Sequence, residues 1–497
     1  MLGVAALLVA GCGNGMGGAE GNVNVPRQGG EVRVAGERDV TTLDPLYATT
    51  IEDDTVLAQM YDSLIGLNQR LEPVPELATS WRYQGPTSLV LTLRSGVLFQ
   101  DGTPFDAQAV TYNLDRYRDT QDSPRREELS GISSVTVDGP RTVTLHLKSA
   151  EAPLLSYLAG PAGMMVSPTA LAAAGDEGRF AASPIGGGTG PFAFYEYRPD
   201  GHLIMLANGR YWGKRPYIRQ LTYTPIPNLH SQLDGLRNGF QNIQRTIARD
   251  DISAAQHDAS VSISWQRGTE YTGIELNNAA APFDDAARRR AVAGAMDRAA
   301  IVARVLGGYD TPAYGLIPPR SWAYGGTRPP ATPTAASPVP AFSFTLKTDT
   351  LDQDMAIAEM IKSQLRSVGI TVRVQPEDAA DIAADLAAHR FDAALVDLAG
   401  GADPDQDMYA QFHTGGALNY GRYSNPAVDA DLDNARTAPD GRAGRLGLYA
   451  DAQRRILADA GFVPLTFPPI FNVHDWAVRG YSVRPDGVWN MKDVWIP

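Results

Sequence analysis

The stretch Tyr271–Leu306, YTGIELNNAAAPFDDAARRRAVAGAMDRAAIVARVL, decides the fold of this chain. Its first residues alternate between the two faces of an extended segment, which is typical of a β-strand. Asp284 follows a Pro-Phe pair and is a good helix N-cap, because its carboxylate accepts a hydrogen bond from an otherwise unpaired backbone amide. Apolar residues then recur at helical spacing as far as Leu306, before Gly307. We therefore predict an extended crossing that leads into one long amphipathic helix, and interpret it as the passage from one lobe to another.

Beyond this stretch, strand and helix patterns alternate. A run rich in Pro, Ala and Thr, Gly325–Pro340, predicts an irregular loop. The segments after it are predicted as strand, helix, strand, helix and strand: Phe342–Thr348, Asp352–Val368, Ile370–Gln375, Asp378–His389 and Phe391–Leu398. This alternation indicates a parallel sheet covered by helices. Two terminal segments, 478–483 and 488–495, are predicted to return to the first lobe.

The first half of the chain has shorter elements. Alternating residues predict strands over Glu31–Ala35, Ser88–Arg94 and Thr142–Leu147, and helical spacing predicts a helix over Asp53–Leu64. Residues 52–183 are interpreted as a small mixed subdomain of the first lobe.

Length and charge limit the classes of protein. A chain of 497 residues is too long for one compact core, so two or three domains are expected. The net charge of -13 argues against a nucleic-acid partner, which requires a basic surface, and it leaves room for cationic ligands.

The single cysteine indicates an exported protein. Cys12 follows the short apolar run Leu2–Ala10 and the small residues of a bacterial lipobox, so we predict that its thiol is lipidated. Residues 1–28 are then a signal segment and a flexible tether. The mature chain is expected in the periplasm or at the outer face of the cytoplasmic membrane, held there only by its lipid anchor.

Catalytic and metal-binding motifs are missing from the sequence. It contains neither the G-x-S-x-G of hydrolases nor the H-E-x-x-H of zinc proteases. Its seven histidines are scattered without the spacing of metal ligands. We therefore expect no catalytic residues, no bound metal and no cofactor.

Several ordered motifs resemble one protein family. After the N-x-x-x-x-P-F-x-D-x-x-x-R pattern that starts at Asn277, the chain shares T-L-D-P from Thr42, P-x-L-A-x-S-W from Pro75 and L-R-x-G-V-x-F-x-D-G-T-P-F from Leu93. These motifs resemble the family 5 extracellular solute-binding proteins, which are the peptide- and nickel-type receptors of ABC importers. One departure lies near Gly239, where the family usually carries an acidic Gly-Glu-x-Asp and this chain reads Gly-Phe-Gln-Asn.

The resemblance implies an α/β, two-lobed periplasmic-binding-protein fold, type II and similar to the large cluster C, with an extra small subdomain in the first lobe. The implied boundaries place lobe I at 29–51, 184–270 and 476–497. They place the subdomain at 52–183 and lobe II at 271–475.

The ligand is expected in the cleft between the lobes. The residues predicted to line it are Thr49, Thr50, Ile51, Tyr271, Glu275, Trp322, Asp397, Leu398, Gly400 and Asp403. For Tyr271 and Trp322, packing in a core is the competing interpretation. In peptide-binding relatives an aspartate anchors the peptide amine at the position of Gly400, so Asp397 and Asp403 are left as alternative anchors.

The resemblance implies an extracytoplasmic substrate-binding protein that passes a small solute to the permease and ATPase subunits of an importer and acts as a monomer. The expected solute is an oligopeptide or a peptide-like compound. Glutathione, opines, sugars, metal chelates and haem remain alternatives. From other classes, an exported hydrolase and a structural lipoprotein without a ligand also remain open.

Overall fold

The computed structural model describes residues 25–324, 340–398, 400–438 and 441–497. Cys12, most of the predicted tether and nearly all of the predicted loop 325–340 lie outside these residues. Within them, every helix is too short or too polar to cross a membrane.

The described residues form strands throughout the chain. In chain order they are β1 (Glu31–Gly36), β2 (Ile65–Leu67), β3 (Pro73–Pro75), β4 (Ala78–Tyr83), β5 (Ser88–Leu93), β6 (Ile132–Gly139), β7 (Thr142–Leu147), β8 (Phe192–Arg198), β9 (His202–Ala207), β10 (Gln220–Pro225), β11 (Ile243–Gln244), β12 (Val261–Arg267), β13 (Tyr271–Leu276), β14 (Thr311–Pro312), β15 (Ser343–Thr348), β16 (Thr371–Pro376), β17 (Ala393–Leu398), β18 (Phe462–Phe467), β19 (Pro469–Asp475), β20 (Ser482–Val483) and β21 (Trp489–Asn490).

Helices connect many of these strands. They are α1 (Ile51–Met60), α2 (Ala107–Asp119), α3 (Arg125–Glu128), α4 (Leu154–Tyr157), α5 (Pro168–Ala174), α6 (Glu177–Ala182), α7 (Leu229–Arg237), α8 (Ile252–Gln256), α9 (Ala286–Ala295), α10 (Arg298–Arg304), α11 (Asp352–Arg366), α12 (Ala379–Ala387), α13 (Pro404–Phe412), α14 (Pro426–Thr437) and α15 (Gly441–Asp459).

The first lobe is built on a seven-stranded sheet with the order β12-β19-β11-β1-β10-β9-β8. Strand β1 lies inside this sheet, parallel to both of its neighbours, so its side chains Val32 and Val34 are fully buried. Helix α1 packs its apolar residues into the same core, together with the C-terminal residues around Trp489. The C-terminal segments that were predicted to return to the first lobe contribute residues to this core.

The second lobe is built on a six-stranded sheet with the order β14-β18-β13-β17-β15-β16. Strand β15 is parallel to β16 and to β17, and helices α11 and α12 make the crossovers. The predicted alternation of strands and helices is confirmed over 343–398. Every residue of β13 is buried because β13 lies inside the sheet, between β17 and β18.

A third sheet of four strands, β4-β5-β7-β6, has an apolar core of its own that includes Leu89, Leu91, Val143 and Leu145. It lies within the range predicted for the small subdomain. Helix α1, however, begins that predicted range and packs into the core of the seven-stranded sheet. The subdomain and its boundaries therefore stay predictions.

The single long helix predicted after Asp284 is wrong. The structure has two helices, α9 and α10, with Asp285 as the N-cap of the first. Met296 is extended, and the Asp297 carboxylate accepts from the amide of Ala300 at 2.9 Å, which starts the second helix. The guanidinium of Arg298 is buried and donates to the carbonyl of Pro464 at 2.7 Å. The buried hydrogen bond of Arg298 thus lies where the predicted helix is interrupted and α10 begins.

Over the residues that the structure describes, the chain passes between the two large sheets in two places, between β12 and β13 and between β18 and β19. Strand β19 lies inside the range 271–475 predicted for lobe II, but it belongs to the sheet of the first lobe. Strand β19 pairs with β12 from Pro469 to Asp475 and leaves the second sheet at Pro468. The reason is backbone hydrogen bonding, since β12 has β19 as its only neighbour among the described strands.

Candidate functional site

A cavity of about 1640 Å³ separates the two large sheets. Its walls include the segments that follow the carboxyl ends of β1 in the first lobe and of β15 and β17 in the second. Ligands of open α/β sheets bind in the crevice outside the carboxyl ends of the strands. The position of the cavity thus agrees with the cleft expected from the sequence.

The predicted loop of the first lobe reaches this cavity. Thr49, Thr50 and Ile51 all line it. Thr50 is the N-cap of α1, and its hydroxyl accepts from the amide of Asp53 at 3.1 Å. The Asp53 carboxylate in turn accepts from the amide and the hydroxyl of Thr41, both at 2.7 Å. This capping network holds the loop in one conformation.

Strand β13 contributes one buried aromatic residue and one buried acid. Tyr271 is 1% exposed, its hydroxyl donates to the Gln411 side chain, and its ring packs edge-on against Phe462. Core packing therefore accounts for Tyr271, although it touches the cavity wall. Glu275 accepts from the backbone amide of Gly421, and burial raises its pKa to about 8.

The segment after β17 also lines the cavity as predicted, at Asp397, Leu398 and Gly400. The Asp397 carboxylate accepts from the hydroxyl of Thr272 at 2.6 Å. Gly400 packs against Thr269: a Cβ atom there would lie 1.8 Å from the Thr269 carbonyl oxygen. The position that carries an amine-binding aspartate in peptide-binding relatives therefore admits no side chain in this chain.

Two residues predicted for the cleft lie elsewhere. Asp403 is 4% exposed and caps α13, and its two oxygens bind the Arg445 guanidinium at 2.5 and 2.7 Å. Trp322 lies outside the cavity lining, under the guanidinium groups of Arg442 and Arg445 and against the ring of Tyr449. The predictions that Asp403 and Trp322 line the cleft are therefore corrected. Both side chains contact residues of α15 instead.

Most of the charged side chains in the cavity wall were not predicted from the sequence. Arg38 follows β1 and forms an ion pair with Asp349 of the second lobe at 2.5 Å. Arg245 lies between Glu52 and Glu270, at 2.9 and 3.0 Å. Two ion-paired groups thus line the wall, and the first of them joins the lobes.

The cavity acids that form no ion pair among the described residues include three from segments at or after the carboxyl ends of β1, β15 and β17. They are Glu37 after β1, Asp354 in the first turn of α11 and Asp397 at the end of β17, and we call them the cleft carboxylates. Burial raises the pKa of Asp354 to about 8, and the negative charge of Asp397 adds to the rise. Burial also raises the pKa of Glu37, against the opposing charges of Arg245 and Arg38.

The cavity wall as a whole is acidic. Fifteen of its side chains are Asp or Glu, whereas six are Arg or Lys. The acidic ones are Glu37, Glu52, Asp54, Asp62, Glu76, Glu128, Asp250, Glu270, Glu275, Asp349, Asp352, Asp354, Asp397, Asp407 and Asp486; the basic ones are Arg38, Arg125, Arg245, Arg249, Arg484 and Lys492. A cleft lined by one sign of charge concentrates solutes of the opposite sign.

The sequence did carry a signal for some of these residues. Acidic residues stand at the ends of two predicted strands of the second lobe: Asp349 directly follows Thr348, and Asp397 is the last residue but one of Phe391–Leu398. The carboxyl ends of parallel strands meet at one edge of a sheet. That Glu37 lies near Asp397 was not predictable from these patterns, because β1 and β17 belong to different sheets.

A second charged cluster joins the lobes outside the cavity lining, and we call it the interlobe cluster. The Tyr157 hydroxyl donates to Asp405 at 2.6 Å, and Arg436 binds the same carboxylate at 2.7 Å. Glu151 lies 3.8 Å from Arg436. Asp405 is fully buried, but its charge is matched by Arg436.

One group at the rim of the cavity has the composition of a metal site. In the part of the chain that the structure describes, His230, Asp250 and Asp251 have ligand atoms within 4.8 Å of one another. The Asp251 carboxylate lies 2.7 Å from the imidazole and raises the pKa of His230, which favours the protonated ring over a metal ligand.

Sequence comparison places these observations in a known family. The family described as bacterial extracellular solute-binding proteins, family 5 Middle, matches residues 72–419, which is more than half of the chain. Among individual relatives, the glutathione-binding protein GsiB of Salmonella paratyphi A is 26% identical over 486 residues, covering 93% of this chain and 94% of the relative.

Solved structures agree with the fold. The oligopeptide-binding protein AppA from Bacillus subtilis, in complex with a nonapeptide, matches with a TM-score of 0.87 and 24% identity, over 95% of this chain and 100% of that one. The periplasmic binding protein DppA from Helicobacter pylori, in complex with the peptide STSA, matches with a TM-score of 0.85 and 23% identity, over 95% and 99%. The chain therefore has the two-lobed type II fold of periplasmic binding proteins.

Proposed function

Because this chain belongs to family 5 of the bacterial extracellular solute-binding proteins, it is the extracytoplasmic substrate-binding component of an ABC importer, and we propose that its solute is an oligopeptide or a peptide-like compound. Members of this family are transport proteins, so the chain is a receptor rather than an enzyme. The alternative of an exported hydrolase is not supported.

The size of the interlobe cavity carries the proposal. Pockets for small molecules enclose roughly 300–1,000 Å³, whereas this cavity encloses about 1640 Å³. An extended chain of a few residues fills such a space better than a single metabolite does. Within the described residues, the chain passes between the two large sheets next to β13 and β19, and the lobes also touch through non-covalent contacts such as the hydrogen bond from the Ala152 amide to the Arg436 carbonyl at 2.9 Å. Such a connection permits closure around a solute.

The names of similar proteins support a peptide-like solute. GsiB is named as a glutathione-binding protein, and AppA and DppA were solved with peptides. Gly400 indicates that an amine of the solute is held differently here, because no aspartate fits at that position.

The remaining features of the proposed function concern the membrane. We propose that Cys12 is lipidated and holds a monomeric receptor beside its permease and ATPase subunits. The solute would then be released to the permease when the lobes open.

Mass spectrometry of the solute released from purified protein tests the proposal most directly. We expect peptides or peptide-like compounds, and we expect a panel of dipeptides to pentapeptides to include ligands that raise Tm. Chromatography of the same peptides after incubation should return them intact. Release of a sugar or of a haem would contradict the proposal, as would a panel without a single stabilising peptide.

A further inference from the structure

The charged groups of the cavity wall leave the three cleft carboxylates unmatched. Each nearby arginine already has an acidic partner: Arg38 has Asp349, Arg245 has Glu52 and Glu270, and Arg249 has Asp310 at 3.1 Å. Within the described residues, Glu37, Asp354 and Asp397 form no ion pair. These three arginines therefore have acidic partners other than the cleft carboxylates.

Asp354 stands out among the three. It is 6% exposed and lines the cavity, and among the described residues no donor lies within hydrogen-bonding distance of its carboxylate. An isolated buried carboxylate costs several kcal/mol of free energy as an ion unless a partner compensates it. Asp403 and Asp405, which are buried to a similar degree, are both bound by arginine. Asp354 forms no ion pair with any residue that the structure describes, and it lines the cavity between the lobes.

The fold explains why these three side chains line the same cavity. Helix α11 follows β15 and leads to β16 on one side, whereas α12 leads back to β17 on the other side of β15. The carboxyl ends of β15 and β17 therefore flank the point where the strand order reverses, which is the usual ligand position in such sheets. The segment after β1 brings Glu37 to the same place from the first lobe.

We propose that Glu37, Asp354 and Asp397 form a cation site that binds a protonated amine or guanidinium group of the transported solute. The proposal rests on the interlobe cavity being the solute-binding site, and it narrows the solute class to compounds that carry a positive charge. Because Glu37 belongs to the first lobe and the two aspartates belong to the second, one cationic group contacts both lobes. Its binding therefore favours the closed arrangement.

The raised pKa values are consistent with this role. Without a cation, burial and mutual repulsion favour the protonated form of Asp354, with its pKa at about 8. A bound ammonium or guanidinium group reverses this preference and ionises the carboxyl. By the same reasoning, a solute with more carboxylates than amines, such as glutathione, is disfavoured at this site.

Isothermal titration calorimetry with solutes of defined charge tests the cation site. The probes are alanyl-lysyl-alanine, trialanine, their N-acetylated forms and agmatine. N-acetylation separates the α-amine from the lysine side chain as the source of the cation, and agmatine supplies cations without a peptide bond. We expect a probe with a cation to bind at least about tenfold more tightly than N-acetyl-trialanine, which corresponds to about 1.4 kcal/mol.

Asp354→Asn and Asp397→Asn should each raise the Kd of the cationic probe by about tenfold or more and leave the Kd of N-acetyl-trialanine unchanged. Asp381→Asn is the matched control, because Asp381 is exposed on α12 outside the cavity lining. The ligand-free Asp354→Asn protein should melt at or above the wild-type temperature, since the change removes repulsion. A carboxylate with a structural role would lower it.

The outcomes separate the two proposals. Equal binding of the cationic probes and of N-acetyl-trialanine, which carries no cation, or variants whose Kd values stay within twofold of the wild type, overturns the cation site and leaves a peptide receptor. Binding of agmatine that depends on Asp354, with no binding of any peptide, supports the cation site and overturns the peptide proposal. Absence of binding by every probe overturns both.

Discussion

The starts of helices α13 and α11 carry buried aspartates with opposite surroundings. At α13, Asp403 and Asp405 are bound by Arg445 and Arg436, and the Tyr157 hydroxyl adds a donor from the region of the four-stranded sheet. At α11, Asp354 is buried with neither an arginine nor a hydrogen-bond donor among the described residues. Burial of an acid therefore does not by itself mark a binding site. What distinguishes the two helix starts is whether the protein supplies the compensating cation.

The largest expected effect comes from removing the cation at α13. Arg445→Met leaves Asp403 buried without its partner, which should cost about 3–5 kcal/mol of unfolding free energy. Urea denaturation followed by circular dichroism measures this loss. Arg454→Met, on the same helix, is the control, because its exposed pair with Asp451 should contribute less than about 1 kcal/mol.

The same pair offers a sharper version of this test. Asp403→Asn in the Arg445→Met background removes the unpaired charge and should recover part of the lost stability. Equal stability of Arg445→Met and Arg454→Met would show that the buried pair does not stabilise α13. The proposed difference between the buried aspartates of α13 and α11 would then be wrong.

A smaller effect is expected at the interlobe cluster. Tyr157→Phe removes a hydroxyl that donates to Asp405 at 2.6 Å, while Arg436 still matches the charge, so a loss of about 1.5 kcal/mol is expected. Because the bond joins the two lobes, solute affinity should fall as well. Tyr409→Phe is the control, since the Tyr409 hydroxyl contacts Asp433 at 3.3 Å within the second lobe. Equal solute affinities in both variants would contradict a role in closure.

The smallest effect concerns pH and the unmatched acids. Burial raises the pKa values of Glu275, Asp354 and Asp407 to about 8 in the folded protein. Each group then binds protons more readily when folded than when unfolded, so its contribution to stability is complete at low pH and is lost as pH rises through about 8. The Tm of the ligand-free protein should therefore increase between pH 8.5 and pH 6.

Screening by water in the cleft should keep this pH effect to about 1 kcal/mol or less. A variant with Glu275→Gln, Asp354→Asn and Asp407→Asn is the control and should show a flatter dependence of Tm on pH. A wild-type Tm that falls between pH 8.5 and pH 6 would show that these acids are ionised in the folded protein.

Local patterns predicted much of this fold. Strands β13 (Tyr271–Leu276) and β7 (Thr142–Leu147) begin and end at the predicted residues. An alternating pattern marks both ends of a strand, because the alternation stops where the strand stops. The break between α9 and α10 was not predictable in the same way. It depends on contacts of Arg298 with Pro464 and of Asp297 with Gln364, which lie far away in sequence.

The binding site was less predictable, for the same reason. Thr49, Thr50 and Asp397 follow local elements and line the cavity as expected. Asp403 and Trp322 were predicted to line the cleft, but both contact Arg445 instead. Arg445 lies on α15, and the sequence around Asp403 or Trp322 does not indicate that contact. A pattern in one segment shows which side chains are polar, but it does not show which charge will compensate them.

The position of β19 also has a consequence for how the molecule assembles. This strand lies between β12 and β11, so the sheet of the first lobe stays in two pieces until residues 469–475 are available. The sheet of the second lobe is complete by Phe467, before that strand is made. During synthesis the second lobe can therefore fold first. The sheet of the first lobe, which contains β1, can be completed only after residues 469–475 have been made.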